Sequence, residues 1–187
     1  MYYPRQGDWT ELEFLWLDRE RKVFAELNEG FLELLPVPPL THQRLMKMLL
    51  KTLEAYFDSR GAEVLFAPLP LRLWPGTLRE PDLLVVRPED FRTSKDYPDF
   101  AQLVVEVVSS SSQDRKRDFE TKVANYQQAG IPEYWIIDPE KKKVHVLSLE
   151  TGSQYTTMIY SVGNSAVSAK YPELSLDVTL LFDVLND

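Results

Sequence analysis

The sequence predicts an α/β domain built on a central mixed sheet, with one helix before its core strands and one after them. Three observations carry this. The runs "LLVV" at 83–86 and "LVVEVV" at 103–108 hold so little polarity that a strand formed by either must be covered on both faces. A stretch of helical period, with Leu45, Leu49, Leu53 and Tyr56 at steps of three and four, stands ahead of them, and a second helical stretch follows at 114–129. Finally, 187 residues with 44% hydrophobic content suffice for one core and not for two, so residues 1–187 read as a single domain. Alternating strands and helices of this kind form layers of helix against sheet.

The chain opens on a short helix in "TELEFLWL", with Asp8 or Thr10 as its cap. "KVFAELNEGFLELLP" gives two strand-like runs around Asn28, Glu29 and Gly30, a hairpin signal. Past the proline-rich "PVPPL", Thr41 is placed to cap the longer helix and Gly61 to stop it. "AEVLFAPLPLRLW" supplies two strands or one bent one and ends at the turn "PGT"; "PDLLVV" and "LVVEVV" are the core strands. The serine run 109–112 is a helix entry, Gly130 closes that helix, and "EYWIID" is the next strand. "DPEKK" turns the chain into a second hairpin, "KVHVLSL" and "YTTMIYS", before the C-terminal stretch returns to the core through Leu174, Leu176, Leu180 and Phe182. No internal repeat or low-complexity linker interrupts this order.

The net charge of -8 weighs against a simple nucleic-acid binder, because phosphate contact calls for a basic surface that displaces counterions. Positive charge gathers locally at Arg115, Lys116 and Arg117 and at Lys141 to Lys143, where it serves either as solvated surface or as a binding site. No run approaches the roughly 20 apolar residues of a membrane-spanning helix. The N-terminus "MYYPRQGDW" lacks the order of a signal peptide, and a cytoplasmic protein is expected. With no cysteine, disulfides, thiolate zinc sites and cysteine nucleophiles are excluded. There is no phosphate-cradling glycine loop, no H-E-x-x-H helix and no G-x-S-x-G elbow.

Glu106 is the most informative residue. It stands among branched aliphatics in "LVVEVV", where burying a carboxylate is costly unless a partner or a metal compensates it. A neighbouring lysine or arginine would make an ordinary ion pair of it. Asp82, beside Pro81 at the head of the preceding strand, reads by itself as a turn residue. Together, a strand-head Asp and a mid-strand Glu on adjacent strands can approach one cation. Mg²⁺ takes oxygen ligands and keeps several waters, so two protein carboxylates are sufficient for it.

In the following helix Phe119, Val123 and Tyr126 define the inward face, with Lys122 about 60° and Asp118 about 100° from Phe119. Asp118, Lys122 and Tyr126 align at i, i+4 and i+8, which also describes an ordinary i,i+4 salt bridge. His42, in the first turn of the long helix, is either a capping residue or one that lines the site. Glu80 flanks Pro81 opposite Asp82. His145 is assigned no role, and Glu133 and Asp138 are assigned to the turn at "DPEKK".

"EPDLLVV", "LVVEVVSSSS" and "DFETKVANYQQAGIPEYWIIDP", with "AELNEGFLELLPVPPLTHQRL" upstream, resemble the signature of the Uma-two family of bacterial restriction-type endonucleases, within the PD-(D/E)XK nuclease superfamily. The likeness spans roughly residues 10–182. It implies a restriction-endonuclease-like core, a central mixed β-sheet flanked by helices, with an N-terminal helix and hairpin, and metal-dependent cleavage of phosphodiester bonds. It implies that Asp82 is the superfamily aspartate and Glu106 the first residue of the E-x-K element. The lysine slot of that element is Val108 here, and the resemblance implies that Lys122 on the next helix replaces it. His42, Glu80, Asp118 and Tyr126 match as further site residues.

The expectation that follows is a metal-dependent endonuclease. Asp82 and Glu106 would bind one or two Mg²⁺, with Mn²⁺ as a substitute, and Lys122 would assist the attacking water or the transition state. Arg115, Lys116 and Arg117 would contact the nucleic-acid backbone, with DNA the expected substrate and a homodimer the expected assembly. Two other readings stay open. One is an inactive nuclease fold kept as a binding or assembly module, its polar residues forming a buried ion-pair network. The other is a metal-dependent phosphoesterase acting on small substrates.

Overall fold

The structure, a computed structural model, describes residues 3–21, 23–109, 111–150 and 154–185. Helix α1 (Glu11–Arg21) starts at a capping box: Thr10 Oγ1 accepts from the Glu13 N–H at 3.3 Å and the Glu13 carboxylate accepts from the Thr10 N–H at 2.9 Å. Thr10 rather than Asp8 is therefore the cap. Strands β1 (Ala25–Asn28) and β2 (Phe31–Leu34) form the expected hairpin. Its turn residues Glu29 and Gly30 both take positive φ, 48° and 83°, as a two-residue hairpin turn requires. A Cβ on Gly30 would lie 2.4 Å from the Gly7 carbonyl oxygen, so only glycine fits there.

Helix α2 (Leu40–Phe57) departs from the expected capping. Pro39, held in extended backbone, is its N-cap and Thr41 lies inside the first turn, because the proline presets the chain just before the helix. His42, Leu45, Leu49, Leu53 and Phe57 form its buried stripe; Phe57 rather than Tyr56 completes it. Gly61, at φ 68°, ends the segment as expected.

Strands β3 (Glu63–Phe66), β4 (Leu71–Trp74), β5 (Thr77–Arg79), β6 (Leu83–Val86) and β7 (Leu103–Val107) follow. "AEVLFAPLPLRLW" is thus two strands, and they belong to different sheets. The expected turn "PGT" ends inside β5, a strand the sequence does not predict; its three residues are fully buried and pair with both β1 and β4.

The next helical segment has three parts: α3 (Ser112–Lys116), a π-helical turn Arg117–Thr121 and α4 (Lys122–Gln128). It begins before residue 114 because Ser111 is the cap, its Oγ accepting from the Asp114 N–H at 3.1 Å. Ser110, in the serine run read as a helix entry, lies outside the described residues. Strands β8 (Glu133–Asp138), β9 (Lys143–Leu149), β10 (Tyr155–Ser161), β11 (Ser165–Val167) and β12 (Ser175–Asp177) and helix α5 (Val178–Asp183) complete the chain.

The central sheet has the order β10-β9-β8-β7-β6-β3. Its mixed character lies in one parallel pair, β7 with β8, joined by the α3–α4 crossover; the other neighbours are antiparallel. Alternation along the strands covers both faces, as their lack of polarity demands. Leu83, Val85, Val105 and Trp135 pack with α2 and α5, whereas Leu84, Val104, Tyr134 and Ile136 pack with Tyr126. The second sheet, β2-β1-β5-β4, closes over a third core with α1.

Two expectations at the C-terminal side need correction. Leu180 is 57% exposed and Leu181 is buried in its place, because the Asp177 cap starts α5 in a register that turns residues 178, 181 and 182 inward. Leu174, Leu176 and Phe182 are buried as expected. Glu133 does not serve the "DPEKK" turn, since it starts β8 at the opposite end of the strand. Its carboxylate accepts from the Trp135 indole N–H and, at 2.8 Å, from the Lys170 N–H. Asp138 does serve that turn, accepting from the Lys141 N–H at 3.1 Å. Among the described residues no helix is long and apolar enough to cross a membrane.

Candidate active site

The link Glu80-Pro81-Asp82 carries the chain from the small sheet into the central one, so its two acids stand where the sheets meet. Asp82 is held by the neighbouring strand: its Oδ2 accepts from the Val107 N–H at 2.7 Å. His42 Nε2, from the first turn of α2, lies 3.1 Å from the same carboxylate. One residue before Val107, Glu106 points from β7 toward α4. Its Oε1 accepts from Lys122 Nζ at 2.6 Å and from the Tyr126 hydroxyl at 3.0 Å.

Lys122 is deeper than the helical wheel places it. The π turn is the reason: the Lys122 N–H reaches the Arg117 carbonyl five residues back, and the extra residue in the turn alters which side chains face the sheet. Asp118, Lys122 and Tyr126 are all buried. Lys122 Nζ also lies 2.9 Å from Glu26 Oε1 and 3.7 Å from Asp118 Oδ1, so the i,i+4 pair exists but is the longest of its three contacts.

Glu26, on β1, was not singled out in the sequence. It is fully buried and accepts from Arg79 Nη1 at 3.0 Å and from the Glu80 N–H at 2.9 Å, besides its contact with Lys122. Arg79, equally buried, also bonds Glu33 at 2.7 Å and Asn125 Oδ1 at 2.6 Å. The available signal was the one used for Glu106, a charged residue set between buried apolar neighbours, Ala25 and Leu27 for Glu26.

His42, Glu80, Asp82, Glu106, Asp118 and Lys122 line one cavity of about 470 Å³. Tyr126 is buried outside this lining and is hydrogen-bonded to Glu106. Arg117 also lines the cavity, paired with Asp114 at 2.9 Å and with Asp118 at 3.5 Å. Arg115 turns the other way, in a two-pronged contact with Asp138 at 2.6 and 3.1 Å and a further one with Glu140, while Lys116 is exposed.

Carboxylates outnumber cations here. Burial makes every buried acid harder to ionise, and the two cations nearest Glu26, Lys122 and Arg79, decide which of them escapes this. They overcome the desolvation of Glu26 and hold it down at about 2. Burial pushes Glu106 up to about 8: the partly committed Lys122 opposes the shift, and Asp82, Asp118 and Glu26 reinforce it. Glu80, with an unpartnered buried oxygen, is pushed by burial up to about 9, with Asp18 and Glu26 adding to the effect. Burial likewise raises Asp118. Lys122 remains an ammonium ion, since Glu106, Glu26 and Asp118 outweigh its own desolvation.

A cation entering the cavity would relieve this surplus. Glu106 Oε2 accepts no hydrogen bond among the described residues, and Asp82 stands just ahead of the adjacent strand β6, so the two carboxylates suit an ion that takes oxygen ligands. Among the described residues no three His, Asp or Glu side chains group closely enough to hold a metal by themselves. Water or substrate oxygens would have to complete the shell.

A model of the family Uma2, described as "Putative restriction endonuclease", matches residues 10–179. The chain belongs to the Uma2 family. A crystal structure of a putative nuclease belonging to DUF820 from Anabaena variabilis ATCC 29413 shares the fold at a TM-score of 0.76 and 19% identity, covering 95% of this chain and 99% of that one. Among curated proteins none matches. The Uma2 chain thus has a restriction-endonuclease-like core, and family and fold together support a nuclease. In this Uma2 member Val108 is packed among apolar side chains two residues after Glu106, and the lysine that reaches Glu106 comes from the helix.

Proposed function

We propose that the protein is a metal-dependent endonuclease that hydrolyses phosphodiester bonds of nucleic acid, with DNA the favoured substrate. The observation that carries this is Glu106: a buried carboxylate with one oxygen held by Lys122 and Tyr126 and the other left to the cavity it shares with Asp82. Asp82 and Glu106 would hold Mg²⁺ or Mn²⁺, which on binding supplies Lewis-acid polarisation of the scissile phosphate and an acidified water. His42 and the Val107 N–H fix the Asp82 carboxylate, and Tyr126 fixes that of Glu106. Lys122 keeps a full positive charge at the wall of the cavity, where it can orient the attacking water and offset charge growing on the phosphate. A homodimer would present two such sites to the two strands of a duplex.

The test is cleavage of plasmid, single-stranded DNA and RNA by the purified protein with Mg²⁺ or Mn²⁺. Asp82→Ala and Glu106→Ala should each lower cleavage by on the order of a thousandfold, the several kcal/mol of charge stabilisation lost with the metal. Equal cleavage by wild type and variants, or no cleavage of any nucleic acid, would remove the reading. One observation favours a second reading, a non-catalytic binding module: Lys122 already satisfies Glu106 and Glu26 as a buried ion-pair network.

A further inference from the structure

The cavity that holds the carboxylates continues outward as an apolar channel. One wall is α2, where His42, Met46 and Leu50 recur at steps of four, with Gln43 and Lys47 beside them. Phe24, from the chain ahead of β1, and Phe66, the last residue of edge strand β3, line the same cavity. Both rings stand in the open, 42% and 57% exposed.

The side of α2 turned away from the core carries Arg44, Lys47 and Lys51, spaced i, i+3 and i+7; Lys47 lines the channel, and Lys51 borders a separate recess with Tyr56 and Glu173. None of the three forms an ion pair among the described residues, in a chain whose net charge is -8. Glu54, one turn beyond Lys51, is the acid at the far end of this helix. The expected backbone contacts Arg115 and Arg117 are, by contrast, each tied to two carboxylates.

Resting on the proposed nuclease reading, we infer that the substrate is bound with an unpaired nucleobase in this channel, against Phe66 and Phe24, while its sugar-phosphate chain leaves the channel over Lys47 and continues across the basic side of α2 at Lys51. The preferred substrate class is single-stranded nucleic acid, or a strand locally freed from its partner. Charge and shape both point this way. The basic side of α2 complements a polyanion, and the aromatic recess complements the flat face of a base. A paired duplex keeps its bases stacked inside and offers an apolar recess nothing unless a base leaves the stack.

The test measures binding of the full chain by fluorescence anisotropy, with a chelator present so that cleavage does not intervene. The probes are an end-labelled single-stranded oligodeoxynucleotide, its fully paired duplex, and a strand of equal length built of abasic deoxyribose phosphates. The wild type should bind the base-bearing strand about tenfold more tightly than the abasic one. Phe66→Ala should erase that difference, and Ile159→Ala, an exposed position on the far edge strand β10, should leave it intact.

Lys47→Ala and Lys51→Ala should weaken both strands alike, each lowering the log–log salt slope by about 1. Equal binding of base-bearing and abasic strands by the wild type overturns the inference. So does duplex binding that exceeds single-strand binding and ignores Phe66→Ala, and in that case Mg²⁺-dependent cleavage of the duplex would leave the nuclease reading standing. Self-association with rising concentration that Phe66→Ala abolishes would show a second copy in the channel and overturn it as well. If no probe binds and no nucleic acid is cut with Mg²⁺ or Mn²⁺, both readings fall together.

Discussion

Lys122 shows how much a single side chain can be asked to do. Its ammonium group is surrounded by Glu106, Glu26 and Asp118, and burial denies all of them water. A buried ion pair adds little over well-packed apolar residues, but breaking one leaves an uncompensated charge inside. Lys122→Ala should therefore destabilise the fold by about 3–5 kcal/mol at neutral pH, read by urea unfolding. Pairing it with Glu26→Ala should recover part of the loss, because the stranded carboxylate goes too; strictly additive losses would show the two residues uncoupled. Glu106 was legible in the sequence because a carboxylate inside an aliphatic strand demands an explanation, whereas Asp82, an ordinary turn residue by itself, became a candidate only beside Glu106. Glu26 carried the signal of Glu106 more weakly, within a strand of four residues, and its partner Arg79 lies 53 positions away.

At the scale of elements, the sequence reading succeeded where a local chemical signal was strong. The Glu29–Gly30 turn, the two core strands and the β9–β10 hairpin all follow from spacing and turn residues. It failed at β5, whose three residues become a strand only because β1 and β4 flank them. It also missed the π turn at Arg117–Thr121: a regular helix puts Lys122 at the border of the core face, and the additional residue takes it inside. The start of this segment rests on one cap. Ser111→Ala removes the acceptor for the Asp114 N–H and should cost about 1 kcal/mol, measured by chemical unfolding; Ser111→Gly should cost only a few tenths.

Across the whole molecule, the buried acids pull stability in opposite directions with pH: Glu106, Glu80 and Asp118, raised by burial, favour the fold at lower pH, and Glu26 favours it at higher pH. Glu26 titrates at about 2 in the folded protein, below its ordinary 4.5, because Lys122 and Arg79 favour its charged form over the cost of burial. The unfolded chain thus takes up the proton first as pH falls. The stabilising contribution is fully present above about pH 4.5 and fades as pH drops through 2. In unfolding measured at a series of pH values, Glu26→Gln should therefore be far less stable than the wild type at pH 5 to 7, and the gap should close towards pH 2. A gap that stays constant to low pH would mean that shape, not charge, sets the role of this residue.

The two-faced core strands and the candidacy of Glu106 were properties of the sequence alone, since burial costs and residue periodicity operate over short stretches of chain, and the resemblance to a family added the expected roles of Asp82 and Lys122. The company those residues keep was decided by the tertiary structure. The small sheet brings Glu26 and Arg79 to Lys122, α2 brings His42 to Asp82, and β3 sets Phe66 at the mouth of the same cavity. Each of these contacts joins segments far apart along the chain, and the Coulomb and packing energies that select them act through space, where sequence spacing carries no record of distance.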